Sequence, residues 1–297
     1  MRIYLDSKDI IKLLEKSDPC TAGEFDEFLR QGNHELVLSF VTIMEISEPL
    51  LHKNAKTNVM WLLSQLEKLP HIFIHSSIIT RLELEEAYRA FANSDDYHDI
   101  LPPFVNRFDI IVDFHGNPAT KQYLNYPLAE TVWDLHNFGV LRGLDNYAQK
   151  LRETFEADRA MAPKPSLKKH FSTMIERNIR LDRLKVPLQD VPRFSNWIYC
   201  NHRCCPSQRL GYELWHKMLK NISDIPHDSD LEDFNHIAAL PYVDIMTLDQ
   251  RMHGYVCQVS KDASSEYHKI IFRNTREILN NIGRLTNEEG ESSCVNN

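Results

Sequence analysis

The chain opens on Arg2-Ile3-Tyr4-Leu5-Asp6, a short apolar run that closes on an acid, and continues Ser7-Lys8-Asp9-Ile10-Ile11-Lys12-Leu13-Leu14. Ile10, Ile11, Leu13 and Leu14 recur at helical spacing, so a strand is followed directly by a helix. The pattern repeats downstream. Residues 35–40 form a second apolar run that leads through Thr42 into a helix extending to Leu51, with Pro49 expected to kink it. Residues 71–79 form a third, followed by a stretch from Thr80 to Ala92 rich in good helix formers. Strands that alternate with helices argue for an α/β protein with a parallel sheet.

The pattern changes from residue 93 to residue 227, where most of the prolines fall between stretches of helical periodicity such as 147–160 and 166–184. This block reads as a mainly helical insertion. From 228 to 285 the α/β pattern resumes: a helix over 230–240, a strand over 243–248, a second short strand over 269–272 and a helix from Thr275. Residues 286–297 have little to bury and read as a disordered tail.

Composition narrows the function classes. The 297 residues include 34 Lys+Arg and 42 Asp+Glu, a net charge of −8, which argues against a protein that coats nucleic acid through bulk electrostatics. Nine glycines are about 3% of the chain, so few tight hairpins are expected. No apolar stretch reaches the roughly 18 residues of a membrane span. Six cysteines without a regular framework suggest reduced thiols and a cytoplasmic home.

Acidic residues fall at four places where an α/β sheet exposes groups to ligand, outside the carboxyl ends of its strands. Asp6 closes the first strand and Glu45 follows the second. Asp230 and Asp233 lie at the start of a helix, and Asp249 follows the strand that ends Thr247-Leu248. Thr247 is expected to hydrogen-bond Asp249 and fix its rotamer. At 100° per residue, Asp230 falls inside the apolar arc of Leu231, Phe234, Ile237 and Ala238, and Asp233 lies at its edge. An acid aimed along a core-facing stripe is costly unless a cation compensates it, and carboxylates with water are the ligand set of Mg²⁺ or Mn²⁺. Such a cluster supports phosphodiester hydrolysis by metal-activated water with no nucleophilic side chain. The competing structural reading is helix capping: Ser229-Asp230-Leu231-Glu232 and Thr42-Ile43-Met44-Glu45 both match the capping box.

Taken in order, Ile3-Tyr4-Leu5-Asp6, Thr42-Ile43-Met44-Glu45, the stretch from Asp230 to Leu240, and Tyr242-Val243-Asp244-Ile245-Met246-Thr247-Leu248-Asp249 resemble the PIN-domain nucleases. The resemblance covers residues 1–92 and 228–285. It implies a three-layer α/β/α fold with a parallel sheet and acids that bind Mg²⁺ or Mn²⁺ to hydrolyse RNA, less often DNA. It makes Asp6, Glu45, Asp233 or Asp230, and Asp249 the metal-binding and catalytic acids, with Thr247 and Asp244 in support. The two candidates for the third acid stay open. The 185 positions between Glu45 and Asp230 exceed the spacing in small toxin-type members, so neither substrate nor an inhibitor or antitoxin can be borrowed from them. Whether the chain forms a homodimer is likewise open.

Other stretches carry weaker signals. Residues 164–185 hold seven Lys or Arg against Glu176 and Asp182, and Lys169, Arg177, Arg180 and Arg183 are candidate contacts to a phosphate backbone. A solvated helix face explains them equally simply. Trp197 and Tyr199 offer stacking faces or core. Cys200, His202, Cys204, Cys205 and His216 have zinc-like residue types without the two spaced ligand pairs of a structural site, so plain thiols are the better reading. His236 beside Asp233 is expected to be structural. The expected function is therefore a metal-dependent endoribonuclease; the alternative is an inactive PIN-like module that binds RNA or a protein partner.

Overall fold

The computed structural model describes residues 1–52, 55–93, 103–108, 127–137, 145–160, 166–181, 184–221, 223–224, 227, 230–262 and 267–281. Its centre is a six-stranded sheet of β1 (Arg2–Tyr4), β2 (Glu35–Ser39), β3 (His71–Ile74), β4 (Phe104–Val105), β5 (Ile245–Thr247) and β6 (Ile271–Phe272). The order is β4-β3-β2-β1-β5-β6. Five strands run parallel, and β4 pairs antiparallel with β3 through Phe73–Val105 and Ile74–Phe104. The expected all-parallel sheet is thus corrected at one edge by a strand of two residues, too short to show any periodicity.

Alternation along the strands sorts the core into layers. Ile3, Leu5, Leu36, Leu38, Phe73 and Ile245 point to one face and join a buried cluster with α1 (Ser7–Leu14), α2 (Pro19–Gln31), α3 (Phe40–Ser47), α5 (Lys56–Leu66) and α7 (Leu128–Asn137). The four-residue α4 (Pro49–His52) follows α3 after a break at Pro49, and α14 (Thr275–Asn280) closes the same face. Tyr4, Val37, Ile74, Met246 and Leu248 point the other way. There they meet α8 (Asp145–Ala160), α11 (Pro206–Lys220), α12 (Asp230–Ile237) and α13 (Gln250–Asp262). Helices on both faces of a mostly parallel sheet make three layers, as the alternating pattern requires.

A third cluster stands off the sheet. Leu84 and Ala87 of α6 (Ser76–Asn93) pack against Phe171, Ile175 and Ile179 of α9 (Leu167–Leu181) and Val191, Phe194 and Ile198 of α10 (Val191–Cys200). The middle of the chain therefore contributes to all three clusters: α7 to the first, α8 and α11 to the second, α9 and α10 to the third. Several ends shift from the sequence expectation. The third strand stops at Ile74 because α6 begins at Ser76, and the helix at Asp230 stops at Ile237, ahead of a 3₁₀ turn over Leu240–Tyr242. Among the described residues no helix is long and apolar enough to cross a membrane. The expected tail, residues 286–297, lies outside the described residues.

Candidate functional site

The sheet order reverses at β1: the chain proceeds to β2 and β3 on one side and returns as β5 and β6 on the other. The crevice of an open α/β sheet lies at such a switch, outside the carboxyl ends of the two strands. Asp6 stands two residues past the end of β1, and Asp249 two residues past the end of β5. The backbone N–H of Asp6 donates to Thr247 Oγ1 at 2.8 Å and ties the two strand ends together.

Both acids also cap helices. Asp6 accepts from Lys8 N at 2.9 Å at the start of α1, and Asp249 Oδ1 accepts from Met252 N at 2.6 Å at the start of α13. Two helix N-termini thus open on one crevice and favour negative charge there. Asp6 also pairs with Lys8 Nζ at 3.3 Å.

Glu45 reaches the crevice from α3. Its N-cap is Ser39, which accepts from Thr42 N, so Thr42 and Glu45 do not form the capping box their spacing suggested. Glu45 Oε2 accepts instead from Ser7 Oγ and contacts His236 Nε2 at 3.0 Å. The other ring nitrogen of His236 meets the hydroxyl of Tyr4, which is itself held by Ser39 Oγ at 2.7 Å and Thr42 Oγ1 at 3.1 Å. Burial works against the imidazolium, but the Tyr4 oxygen and the Glu45 carboxylate reverse this and hold His236 well above the usual histidine range. Burial likewise works against ionised Glu45; His236, Ser7 and Lys8 outweigh it and lower its pKa.

The two candidates for the third acid have different surroundings. Asp230 is buried, as its place on the apolar arc required, but the compensating cation is a side chain. Arg251 on α13 bonds both Asp230 and Asp224, the latter at 2.8 Å. Asp233 has no such partner. Its Oδ2 is buried without a hydrogen bond, and burial together with Asp249 pushes its carboxyl up to about 7; His236 opposes this, while Asp230 and Glu45 add to it. Asp233 thus lies within electrostatic reach of three other candidate acids.

Two supporting assignments are corrected. Thr247 shares the sheet face of Ile245, toward α1, so its hydroxyl serves the backbone of Asp6 and not the carboxylate of Asp249. Asp244 precedes β5, at the opposite end of the strand from Asp249, where it accepts from Arg2 N at 2.6 Å. It fastens the amino ends of β1 and β5 and is no part of the crevice.

Lys169, Arg177 and Arg180 are exposed on α9, whose buried stripe is Phe171, Ile175 and Ile179. Arg183 lies outside the described residues. Trp197 and Tyr199 pack at the edge of the third cluster, against Phe91 and Phe171 respectively. Cys204 and Cys205 are buried there as free thiols, raised by burial. Among the described residues no three His, Cys, Asp or Glu side chains stand together closely enough to hold a metal ion as they are placed.

Three groups of the crevice were not singled out from sequence: Ser7, Arg251 and Asp9. Arg251 carried no signal, because its pairing with residues 21 and 27 positions away depends on tertiary structure. Asp9 did carry one, since it sits a helical turn before Leu13 on the buried side of α1 and is itself 2% exposed. No family model, curated protein or solved structure matches the chain.

Proposed function

We propose that this chain is a divalent-metal-dependent endonuclease of PIN type that hydrolyses phosphodiester bonds in RNA. The supporting observation is Asp233: a carboxyl with a buried oxygen lacking any partner, placed among Asp249, Asp230 and Glu45 at the switch point of the sheet. A carboxylate oxygen buried among other acids with nothing bonded to it has the chemistry of a cation ligand. Asp6, Glu45, Asp233 and Asp249 would hold Mg²⁺ or Mn²⁺, and Asp230 is spent on Arg251. The bound metal would supply charge neutralisation at the scissile phosphate and a more acidic water.

The chain's own residues do the positioning. Tyr4 fixes the ring of His236, and His236 with Ser7 fixes Glu45. The Asp6–Thr247 hydrogen bond sets the spacing of the two strand ends. Lys8, 45% exposed, can exchange Asp6 for a phosphate oxygen. The first turns of α1 and α13 favour the incoming anion.

One observation favours the inactive PIN-like module instead: Asp6 and Asp249 are caps, and Glu45 is already engaged by His236 and Ser7. Two measurements separate the readings. The nuclease should cut an RNA oligonucleotide with Mn²⁺ or Mg²⁺ and lose roughly 10²-fold or more of that rate in Asp6→Asn. It should also melt at higher temperature as Mn²⁺ is added, by mass action on the folded state. Equal cleavage by wild type and Asp6→Asn, or a melting temperature indifferent to Mn²⁺, refutes the proposal.

A further inference from the structure

Beside the acidic crevice lies a second concavity of about 420 Å³, within the size range of small-ligand sites. Asp9, Lys12 and Ser17 line it from α1 and the turn after it, Thr21 from α2, and Asn274 and Thr275 from the start of α14. It borders the crevice through Asp9, which lies one helical turn from Asp6 and interacts with both Asp6 and Thr247.

Most polar groups of this cleft are spent on one another. Asp18 accepts from Thr21 and Arg276, Glu277 accepts from Arg273 N, and Asn274 accepts from Glu277 N. Two are not. Asp9, only 2% exposed, has an Oδ2 without a partner, and burial raises its carboxyl, with a hydrogen bond to Thr247 and the charges of Lys8 and Lys12 opposing and Asp6 adding. Lys12, three residues on and exposed, makes no ion pair or hydrogen bond through its ammonium among the described residues. Helical spacing places the two on one side of α1. One short side chain at the floor therefore seeks a hydroxyl or amine, and one long cation at the rim seeks an anion.

A ribose with its phosphate presents both. We infer that this cleft seats one ribonucleotide of the substrate strand beside the phosphate that is cut, with Asp9 bonding the ribose 2′-hydroxyl and Lys12 the adjoining phosphate. The inference rests on the nuclease reading for its substrate and supplies what that reading lacks, a group that distinguishes RNA from DNA.

The test uses the full chain with chelator present, so that no metal contributes. Binding of a uridine tetranucleotide and its 2′-deoxy counterpart is measured by calorimetry. Wild type should bind the ribo form roughly tenfold tighter, and Asp9→Ala should erase that preference. Lys12→Ala, at an exposed position, should weaken both forms alike. Asp9→Asn serves as the second variant should Asp9→Ala melt early. Equal affinity of wild type for the two forms, or a preference that survives both Asp9 substitutions, overturns the inference. Cleavage with Mn²⁺ is followed in parallel: cutting without any Asp9 effect on binding removes the cleft alone, whereas ribo-selective binding without cutting removes the nuclease reading alone.

Discussion

Burial pushes the carboxyls of both Asp233 and Glu83 up to about 7, and their neighbours then act on them in opposite directions. Glu83, on α6, is fully buried, and its oxygens accept from Ser207 N at 2.8 Å, Gln208 N at 3.1 Å and Tyr242 Oη at 2.7 Å. Burial raises it and each donor on its oxygens pulls it back, so the carboxyl is fully committed to closing the N-terminus of α11. Asp233 is raised by burial and then further by like charges, and one of its oxygens is bonded to nothing. A shared pKa thus conceals one completed structural joint and one open valence.

Substitution should separate them. Glu83→Ala strands two backbone N–H groups and a phenol, and should cost about 3–5 kcal/mol in chemical denaturation. Arg251→Ala belongs to the same class: it leaves Asp230 buried and unpaired beside Asp233, at a cost of about 3–5 kcal/mol. Asp233→Asn removes a charge that burial and Asp249, Asp230 and Glu45 disfavour more than His236 favours it, so the metal-free protein should gain about 1–2 kcal/mol at pH 8 and lose its Mn²⁺-dependent rise in melting temperature. Destabilisation by Asp233→Asn would place Asp233 in the same class as Glu83.

Titration sharpens the contrast. Both acids bind a proton more tightly folded than unfolded, so each contributes stability that is fully present below about pH 4 and is lost as pH rises toward 7. The slope is at most about 1.4 kcal/mol per pH unit for each group. Glu83→Gln should flatten its share with or without metal. Saturating Mn²⁺ should flatten only the share of Asp233, whose proton the cation replaces. The smallest effect is expected at the far end of the sheet: Asp244→Ala should cost under about 1 kcal/mol, its carboxylate being exposed, and leave cleavage unchanged.

What could be read from the sequence follows the range of the forces involved. Asp6 and Asp249 were legible because a strand end and a helix start are local events, and an acid between them has a visible reason. The α/β class was legible because apolar runs and helical stretches alternate along the chain, whereas the sorting of Ile3 and Leu5 to one face and Tyr4 to the other appears only in the structure. The different surroundings of Asp230 and Asp233 were not legible, because the residue that separates them, Arg251, arrives from another helix. The pairing of Thr247 with the carboxylate of Asp249 fails for a related reason: the group it bonds, the backbone N–H of Asp6, is 241 positions away. The place of Asp9 on the buried arc of α1 is as readable in the sequence as that of Asp230.

Among the described residues the two outermost strands, β4 and β6, are each two residues long. A foreign strand laid alongside either border would find only a couple of backbone groups to pair with, too few to recruit another molecule by sheet extension. The brevity that hid β4 from pattern reading thus also works against copies joining edge to edge.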